Sequence, residues 1–269
     1  MILYERHIRG FNIFPFQSLG IMEPQKYIYG IHSVKEAIDS GLAIDKIYLQ
    51  KGLHGENYKR IQEIIKIHRI PFQLVPREKL RNLTLKNHQG IFAFISPIEF
   101  HNIYDLIPML YEKGKNPLLL ILDKITDVRN FGSIVRTAEC GGVDAVIIPT
   151  KGSTLITSEA IKASSGAILK VPICRELDLY KSLLILKNYG IQIVAATEKS
   201  STTFYEVDFS VPIAIIIGNE QYGIDSSYLS ITDKQVKLPM LGKISSMNVS
   251  VVCGILIYEA LRSRYAKIT

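Results

Sequence analysis

The sequence lacks the signatures of disulfide-rich, metal-binding, secreted and membrane proteins. Its three cysteines, Cys140, Cys174 and Cys253, form no CxxC pair, so neither a zinc knuckle nor a disulfide framework is predicted. They lie in apolar stretches, where we expect buried, inert thiols. The six histidines are scattered without metal-ligand spacing, so we predict no metal site. The N-terminus lacks the apolar core and cleavage site of a signal peptide, and no apolar run is long enough to cross a bilayer. These absences predict a cytoplasmic protein.

The composition is that of a globular protein with a basic surplus. The chain has 269 residues, which allows one large or two modest domains, and 47% of them are hydrophobic. The net charge is +7. Such a surplus favours a polyanionic partner, nucleic acid before membrane, because attraction to phosphate needs excess Lys and Arg. A soluble enzyme that is merely basic remains an equal alternative on charge alone.

The first hundred residues predict a short arm and a small α/β domain. Residues 1–25 show no periodicity and are interpreted as an N-terminal arm, with an upstream translation start as the alternative. Ser33 and Glu36 have the spacing of a capping box for a first helix, which Gly41 would end. A second helix and three strands are predicted around 61–68, 45–49, 72–75 and 90–95. Strands alternating with helices indicate an α/β domain over 26–97, and an amphipathic linker follows over 98–116.

The second half, residues 117–269, predicts a parallel sheet. It contains near-continuous apolar runs, which are typical of strands covered on both faces by helices. These runs are 118–122, 145–148, 191–195 and 213–217. The predicted fold class is therefore α/β, with two domains of different texture. In open α/β sheets, ligands bind at the carboxyl ends of strands, so the polar segments that follow the runs are the candidate site.

Three such segments stand out. The first, 127–138, leads from a strand into a helix and contains Asn130, which could cap that helix, and Arg136, two turns further on. A solvated or ion-paired arginine is the simpler interpretation of Arg136 taken alone. The second, 217–223, contains Glu220 between Gly218 and Gly223, where glycine allows backbone to approach a ligand. A plain strand-to-helix turn would also account for it.

The third segment, 238–250, is a Gly- and Ser-rich loop that leads into a long apolar helix. Ser245, Ser246 and Asn248 lie near the start of this helix, and capping explains only one of the three. The helix continues with Val251, Val252, Ile255, Leu256 and Tyr258, so it is predicted to lie in the core or at a subunit interface.

Taken in order, the three segments resemble the motifs of the SpoU (TrmH-type) RNA 2′-O-methyltransferases of the SPOUT superfamily. The resemblance covers roughly residues 117–265. Its motifs are Asn130-Phe131-Gly132 through Arg136-Thr137-Ala138, then Gly218-Asn219-Glu220, then Leu238-Pro239-Met240 with Ser246-Met247-Asn248. Met247 stands where leucine is usual and Gln221 where glycine is often found. The first substitution conserves side-chain volume.

The N-terminal domain extends the resemblance. Tyr29-Gly30-Ile31-His32-Ser33-Val34 and His88-Gln89-Gly90-Ile91 look like the L30e/L7Ae-like substrate-binding domain of the ribosomal members, the 23S rRNA (guanosine-2′-O-)-methyltransferases of the RlmB type. The minimal tRNA members lack this domain. The resemblance therefore implies RNA as the partner, with 23S rRNA or a ribosomal precursor favoured over tRNA. Five basic residues would contact the RNA backbone: Lys26, Lys59, Arg60, Arg77 and Lys79.

The resemblance further implies a C-terminal trefoil knot, a homodimer and S-adenosyl-L-methionine as cofactor. Backbone groups at Thr197, Gly218, Leu238 and Met247 would bind the cofactor. Neither a Gly-x-Gly-x-x-Gly motif nor a P-loop is present, which fits a site of another type.

Arg136 is the catalytic residue that the resemblance implies. A guanidinium with a pKa above ~12 is a poor base, so we hypothesise that Arg136 acts as a cation that pairs with a phosphate and stabilises developing alkoxide charge. Asn130, Glu220 and Asn248 would orient Arg136 or the ribose, and Ser246 would help to position its loop.

Three alternatives remain open at this point. The chain could methylate tRNA, or another rRNA site as a resistance methylase does. It could also be an inactive RNA-binding member of the fold, although the complete Asn130, Arg136, Glu220 and Asn248 set argues against that. An unrelated nucleotide enzyme with a parallel sheet is disfavoured by the missing phosphate-binding loop.

Overall fold

The computed structural model describes residues 26–244 and 246–266. The predicted arm, 1–25, and Ser245 lie outside the described residues. The chain divides into two compact units, with the boundary between Pro97 and Ile98. No helix in the described part combines the length and apolarity needed to cross a membrane.

The first unit is a four-stranded mixed sheet with three helices. Its elements are β1 (Tyr27–Tyr29), α1 (Ile31–Asp39), β2 (Ile44–Gln50), α2 (Glu56–Ile67), β3 (Phe72–Val75), α3 (Arg77–Leu83) and β4 (Ile91–Ile95). The sheet order is β1-β4-β2-β3, with β4 antiparallel to both neighbours and β2 parallel to β3. The predicted strands are confirmed, and β1 was not predicted.

The predicted capping box at Ser33 and Glu36 is wrong. Helix α1 begins at Ile31, and its N-cap is Gly30 with a φ of 88° and no side-chain cap. Tertiary contacts fix this earlier start, because Gly30 N donates to Ile91 O at 3.2 Å and Ile31 N donates to Gln89 Oε1 at 3.0 Å. Gly41 does follow the helix end, with a positive φ of 75°.

The second unit is a six-stranded sheet in which every strand pair is parallel, in the order β10-β8-β9-β5-β6-β7. Its strands are β5 (Leu118–Asp123), β6 (Ala145–Pro149), β7 (Ile173–Glu176), β8 (Gln192–Ala196), β9 (Ile213–Gly218) and β10 (Lys234–Val236). Its helices are α4 (Ile103–Glu112), α5 (Val128–Cys140), α6 (Ser158–Ala163), α7 (Leu179–Asn188), α8 (Ser226–Leu229) and α9 (Val249–Tyr265). The four apolar runs form the four central strands, so the predicted parallel sheet is confirmed.

Helices cover both faces of this sheet. Leu118, Leu120 and Leu122 of β5 point into one core layer, which α5, α6 and α9 complete. Leu119 and Ile121 point into the other layer, which α4 and α7 complete. The alternation follows from the period of two in a strand, and burial on both faces explains why polar residues are nearly absent from the four runs, with Gln192 as the exception.

Two sequence-based expectations fail in this unit. Residues 98–116 are not a separate linker, because Ile103, Leu106, Ile107 and Leu110 of α4 are buried in the core layer against β5. Cys140, the last residue of α5, is exposed, whereas Cys174 and Cys253 are buried as expected. Burial raises the pKa of the Cys174 thiol to about 12 and also raises that of Cys253, which keeps both thiols protonated and inert.

Candidate functional site

The carboxyl ends of four neighbouring strands form one row of candidate residues. Gly218 ends β9 and is paired with Asp123, the last residue of β5. Thr197 follows β8 directly, and its amide donates to Val236 O at the end of β10 at 2.8 Å. Leu238 lies two residues beyond Val236. The predicted cofactor-binding positions at the ends of β8, β9 and β10 are thus neighbours at this edge of the sheet, where open α/β sheets bind their ligands.

Gly218 lies in a turn that leaves no room for a side chain. A Cβ at this position would fall 2.2 Å from the carbonyl carbon of Gly223. Asn219 holds the turn closed, since its Oδ1 accepts from Gln221 N at 2.8 Å and its carbonyl accepts from Gly223 N at 2.7 Å. The positive φ of the turn, 68°, falls on Gly223. Gln221 therefore needs no left-handed conformation, and its departure from glycine leaves the turn intact.

A chain of two hydrogen bonds joins the three polar segments. Asn130 Nδ2 donates to Glu220 Oε1 at 2.6 Å, and Asn248 Nδ2 donates to Asn130 Oδ1 at 3.1 Å. The bonds span 90 and 118 residues of sequence. We call these three residues the Asn130 cluster. They show that the segments after β5, β9 and β10 meet at one place.

The caps of the two flanking helices are only partly as predicted. Asp127, not Asn130, caps α5, and its Oδ1 accepts from Arg129 N and Asn130 N at 2.8 and 2.9 Å. Asn130 lies one turn further along, which frees its amide for Glu220 and Asn248. Asn248 does cap α9, because its Oδ1 accepts from Ser250 N at 2.9 Å while its Nδ2 bonds Asn130.

Arg136 is exposed on α5, six residues after Asn130, and has no hydrogen bond or ion pair within the described part of the chain. It does not touch the Asn130 cluster. Ser246 is also exposed and without a partner in that part. Met247 and Leu238 are half-buried, and Leu238 packs against the core. The guanidinium of Arg136 is thus free to bind an anion.

Sequence reasoning missed a charged network beneath the Gly218 turn. Asp123 is 1% exposed, and its Oδ2 accepts from Asp225 N at 2.9 Å. Burial raises the pKa of the Asp123 carboxyl above its ordinary value. Lys124, with a φ of 58°, places its Nζ 2.9 Å from Asp225 Oδ2, and its carbonyl accepts from Asn219 Nδ2 at 3.2 Å. The network therefore holds both ends of the turn that carries Glu220. An aspartate directly after a wholly apolar strand was the available signal.

The ion pair predicts an acid-sensitive contribution to stability. The hydrogen bond from Lys124 is the main cause that lowers the pKa of Asp225 to about 2. A depressed pKa stabilises the fold above the unfolded value near 4, and this contribution is lost as the pH falls from about 4 to 2. Both side chains are more than a third exposed, so after solvent screening we expect Lys124→Met to lower the free energy of unfolding by about 0.5–1 kcal/mol at neutral pH.

Urea unfolding of the wild type and Lys124→Met between pH 2 and 7 measures the difference in their free energies of unfolding. The matched control is Lys35→Met, which breaks an exposed ion pair with Asp39 in α1. A stability difference for Lys124→Met that persists unchanged at pH 2 contradicts the assignment.

The Asn130 cluster predicts a pH-dependent defect in an Asn130→Asp variant. The variant places a carboxylate oxygen where an amide now donates to Glu220 at 2.6 Å. Two carboxylates at this distance cannot both stay ionised, so they repel or share a proton. We expect the rate of the methyl transfer that the resemblance implies to fall about tenfold or more at pH 8 and to recover in part toward pH 5. A pH–rate profile measures this, and an equal defect at every pH would exclude the charge repulsion.

No group of three or more His, Cys, Asp or Glu residues in the described ranges is arranged to hold a metal ion. The site that the chain builds from these ranges is instead one of backbone groups, amides, one carboxylate and one free guanidinium.

Comparison with known proteins agrees with this architecture. Residues 117–258 match the SpoU rRNA Methylase family, and residues 27–101 match the family described as RNA 2′-O ribose methyltransferase substrate binding. The first match lies within the second unit, and the second match covers 27–97 of the first unit and continues four residues beyond it. They define a methyltransferase class with a separate unit for its RNA substrate.

A relative from Staphylococcus haemolyticus, described as "Putative TrmH family tRNA/rRNA methyltransferase", is 37% identical over 88% of this chain and 96% of its own length. The chain therefore belongs to the SpoU (TrmH-type) family of RNA methyltransferases.

Two solved structures resemble the fold. The SpoU methyltransferase AviRb from Streptomyces viridochromogenes, in complex with the cofactor AdoMet, has a TM-score of 0.56 and 21% identity, over 89% of this chain and 90% of that one. The A. aeolicus TrmH/SpoU tRNA modifying enzyme has a TM-score of 0.52 and 32% identity, over 61% of this chain and 85% of that one. The predicted two-domain α/β fold is confirmed.

Proposed function

We propose that this protein transfers a methyl group from S-adenosyl-L-methionine to a ribose 2′-hydroxyl of RNA, at a guanosine of 23S rRNA. The convergence of the three polar segments in the Asn130 cluster carries the proposal, because it joins residues of all three motifs at one edge of the sheet. Membership of the family supports the reaction class. The basic first unit supports RNA as the substrate.

The row of backbone groups at the strand ends suits the cofactor. Gly218 ends β9, Thr197 and Leu238 follow the adjacent strands β8 and β10, and Met247 precedes α9. When bound there, the cofactor supplies a methyl group on a sulfonium, which is already a good electrophile. The task left to the protein is to bind, align and exclude competing nucleophiles, and alignment alone supplies much of the rate in such displacements.

Arg136 supplies positive charge where the ribose hydroxyl loses its proton. Its free, exposed guanidinium can pair with an RNA phosphate and stabilise alkoxide character at the attacking oxygen. The Asn130 cluster orients the ribose through its carboxylate and amides, and Ser246 positions the loop before α9. The Asp123–Lys124–Asp225 network keeps Glu220 in place from below.

We also propose the homodimer and the trefoil knot that the resemblance implies, in a cytoplasmic setting consistent with three free thiols. Helix α9 is apolar on its inner and its outer side. Its outer stripe contains Val251, Ile255, Tyr258 and Tyr265, of which Val251, Tyr258 and Tyr265 are 48%, 51% and 63% exposed. Exposed apolar side chains at i, i+7 and i+14 along one side of a helix are typical of packing against a second subunit. On the same side, Ile255 is half-buried and packs in part against the core, and Arg262 lies between Tyr258 and Tyr265.

Tyr258→Lys should therefore shift the protein from dimer to monomer. A lysine at the centre of the stripe places an unpaired charge in an apolar interface. Sedimentation velocity measures the oligomeric state, with Tyr205→Lys as the control, because Tyr205 lies outside the stripe and is 61% exposed. A dimer of unchanged strength in the Tyr258→Lys protein would place the interface elsewhere.

The proposed reaction is tested with labelled S-adenosyl-L-methionine and three substrates: 23S rRNA transcripts, ribosomal precursor particles and bulk tRNA. We expect label in 23S rRNA, mapped by its resistance to alkaline cleavage to one 2′-O-methylguanosine. Label in tRNA alone would overturn the rRNA assignment and establish the second candidate function, which the "tRNA/rRNA" description of the relatives favours. Absence of both cofactor binding and label would favour the inactive RNA-binding alternative.

A further inference from the structure

The first unit carries four partly exposed aromatic rings on one face of its sheet. They are Tyr27 and Tyr29 of β1, Tyr48 of β2 and Phe94 of β4, and we call them the aromatic face. Tyr27 is paired with Phe94, whereas Tyr29 and Tyr48 are both paired with Phe92, so all four point to the same side. Tyr27 is 45% exposed and the other three are half-buried.

The opposite side of the sheet is closed and this side is not. Helices α1 and α2 bury Ile47, Leu49 and Ile91 on the far side. On the near side, α3 is the one helix among residues 26–97 that packs, through Leu80 and Leu83, against Phe92 and its neighbours. A sheet covered by one short helix leaves ring surface open to solvent, which is costly unless it serves binding.

Positive charge surrounds the aromatic face. Lys79 Nζ and Lys46 Nζ lie 4.7 and 5.2 Å from the centre of the Tyr48 ring. Arg77 and Arg81, two residues to either side of Lys79 on α3, are also exposed. Residues 26–97 contain twelve Lys and Arg against six Asp and Glu, a net charge of +6, whereas the whole chain has +7. The basic surplus that pointed to RNA is therefore concentrated in this unit.

We propose that the aromatic face binds unpaired nucleotides of the RNA substrate, with bases stacked on Tyr27 and Tyr48 and phosphates paired with Lys46 and Lys79. Proteins commonly bind single-stranded RNA with aromatic rings flanked by cations. Each unpaired base can stack on a ring, and each phosphodiester carries a negative charge that pairs with a cation. A fully paired duplex hides its base faces and would gain only the charge contacts. The inference rests on the proposed function and specifies the substrate as a loop or single strand.

Full-length protein is titrated against two RNAs of equal length, a hairpin with a loop of unpaired adenines and a fully paired duplex. One loop adenine is replaced with 2-aminopurine, whose fluorescence falls when it stacks. We expect tighter binding of the hairpin, with quenching. Tyr27→Leu should weaken hairpin binding about tenfold and reduce the quenching while leaving duplex binding nearly unchanged. Lys79→Met should weaken both and lower the salt dependence.

The matched control is Phe72→Leu. Phe72 is 38% exposed in the same unit, but it is paired with Ile47 and so lies on the α1 and α2 side of the sheet. Its hairpin affinity should equal that of the wild type. If Tyr27→Leu and Tyr48→Leu both bind the hairpin with wild-type affinity, the proposal that the aromatic face binds RNA is overturned. Failure of the wild type to methylate any RNA would instead refute the proposed function, since methylation is measured separately from binding.

Discussion

Arg136→Ala should lower the rate of methyl transfer by about 10²–10³-fold or more while leaving the affinity for S-adenosyl-L-methionine nearly unchanged. The guanidinium is exposed and has no partner within the described ranges, so its removal leaves no buried group unsatisfied and creates no cavity. What disappears is a cation at the attacking oxygen, and donors that stabilise developing negative charge contribute effects of this size. Single-turnover methylation and calorimetric titration with the cofactor separate the two quantities.

Arg129→Ala is the matched control for this variant. Arg129 lies two turns before Arg136 on nearly the same face of α5, and its side chain is 84% exposed. Its one ion pair, to Glu159 at 3.8 Å, contributes little. We expect near wild-type turnover. Near-normal turnover of Arg136→Ala would remove Arg136 from the catalytic role, and loss of cofactor affinity would assign it to the cofactor site instead.

Gly218→Ala should reduce cofactor affinity by roughly five- to a hundredfold. The new Cβ would lie 2.2 Å from the Gly223 carbonyl carbon and 2.4 Å from Ile224 N, which are backbone atoms that cannot turn aside. The turn must open, and forced backbone shifts of this kind cost about 1–3 kcal/mol. The shift displaces both the Gly218 backbone, where we place the cofactor, and Glu220, two residues further on.

Gly242→Ala controls for the loss of a glycine. A Cβ there meets nothing within 4 Å, and the position has no positive φ. We expect unchanged cofactor affinity in that variant and, in Gly218→Ala, a melting temperature lowered by a few degrees together with the weaker binding. Wild-type affinity in Gly218→Ala would place the cofactor away from this turn.

The sheet of the second unit could be predicted from the sequence because strands buried on both faces appear as nearly continuous apolar runs. Leu118–Leu122 and Ile213–Ile217 contain no polar residue, and both became central strands. Edge strands such as β7 and β1 are short, and their composition does not separate them from loops. The start of α1 could not be read locally either, because Gln89 and Ile91, some sixty residues away, determine where the helix begins.

The sequence predicted which residues form the site but not which hydrogen bonds join them. Motif order identified Asn130, Glu220 and Asn248, and only the fold revealed that the amide of Asn130 joins the other two. Local reasoning gave Asn130 the capping role because a polar residue near a helix start has that role most often. Asp127 holds it here. The network of Asp123, Lys124 and Asp225 could not be predicted, because its contacts join residues about a hundred positions apart in the sequence.

The decisive experiment is a crystal structure of the protein with S-adenosylhomocysteine. We expect the bound product to contact the backbone at Thr197, Gly218, Leu238 and Met247, with its sulfur directed toward the space between Arg136 and the Asn130 cluster. Product bound at another edge of the sheet, or with its sulfur facing away from Arg136, would rule out the proposed site.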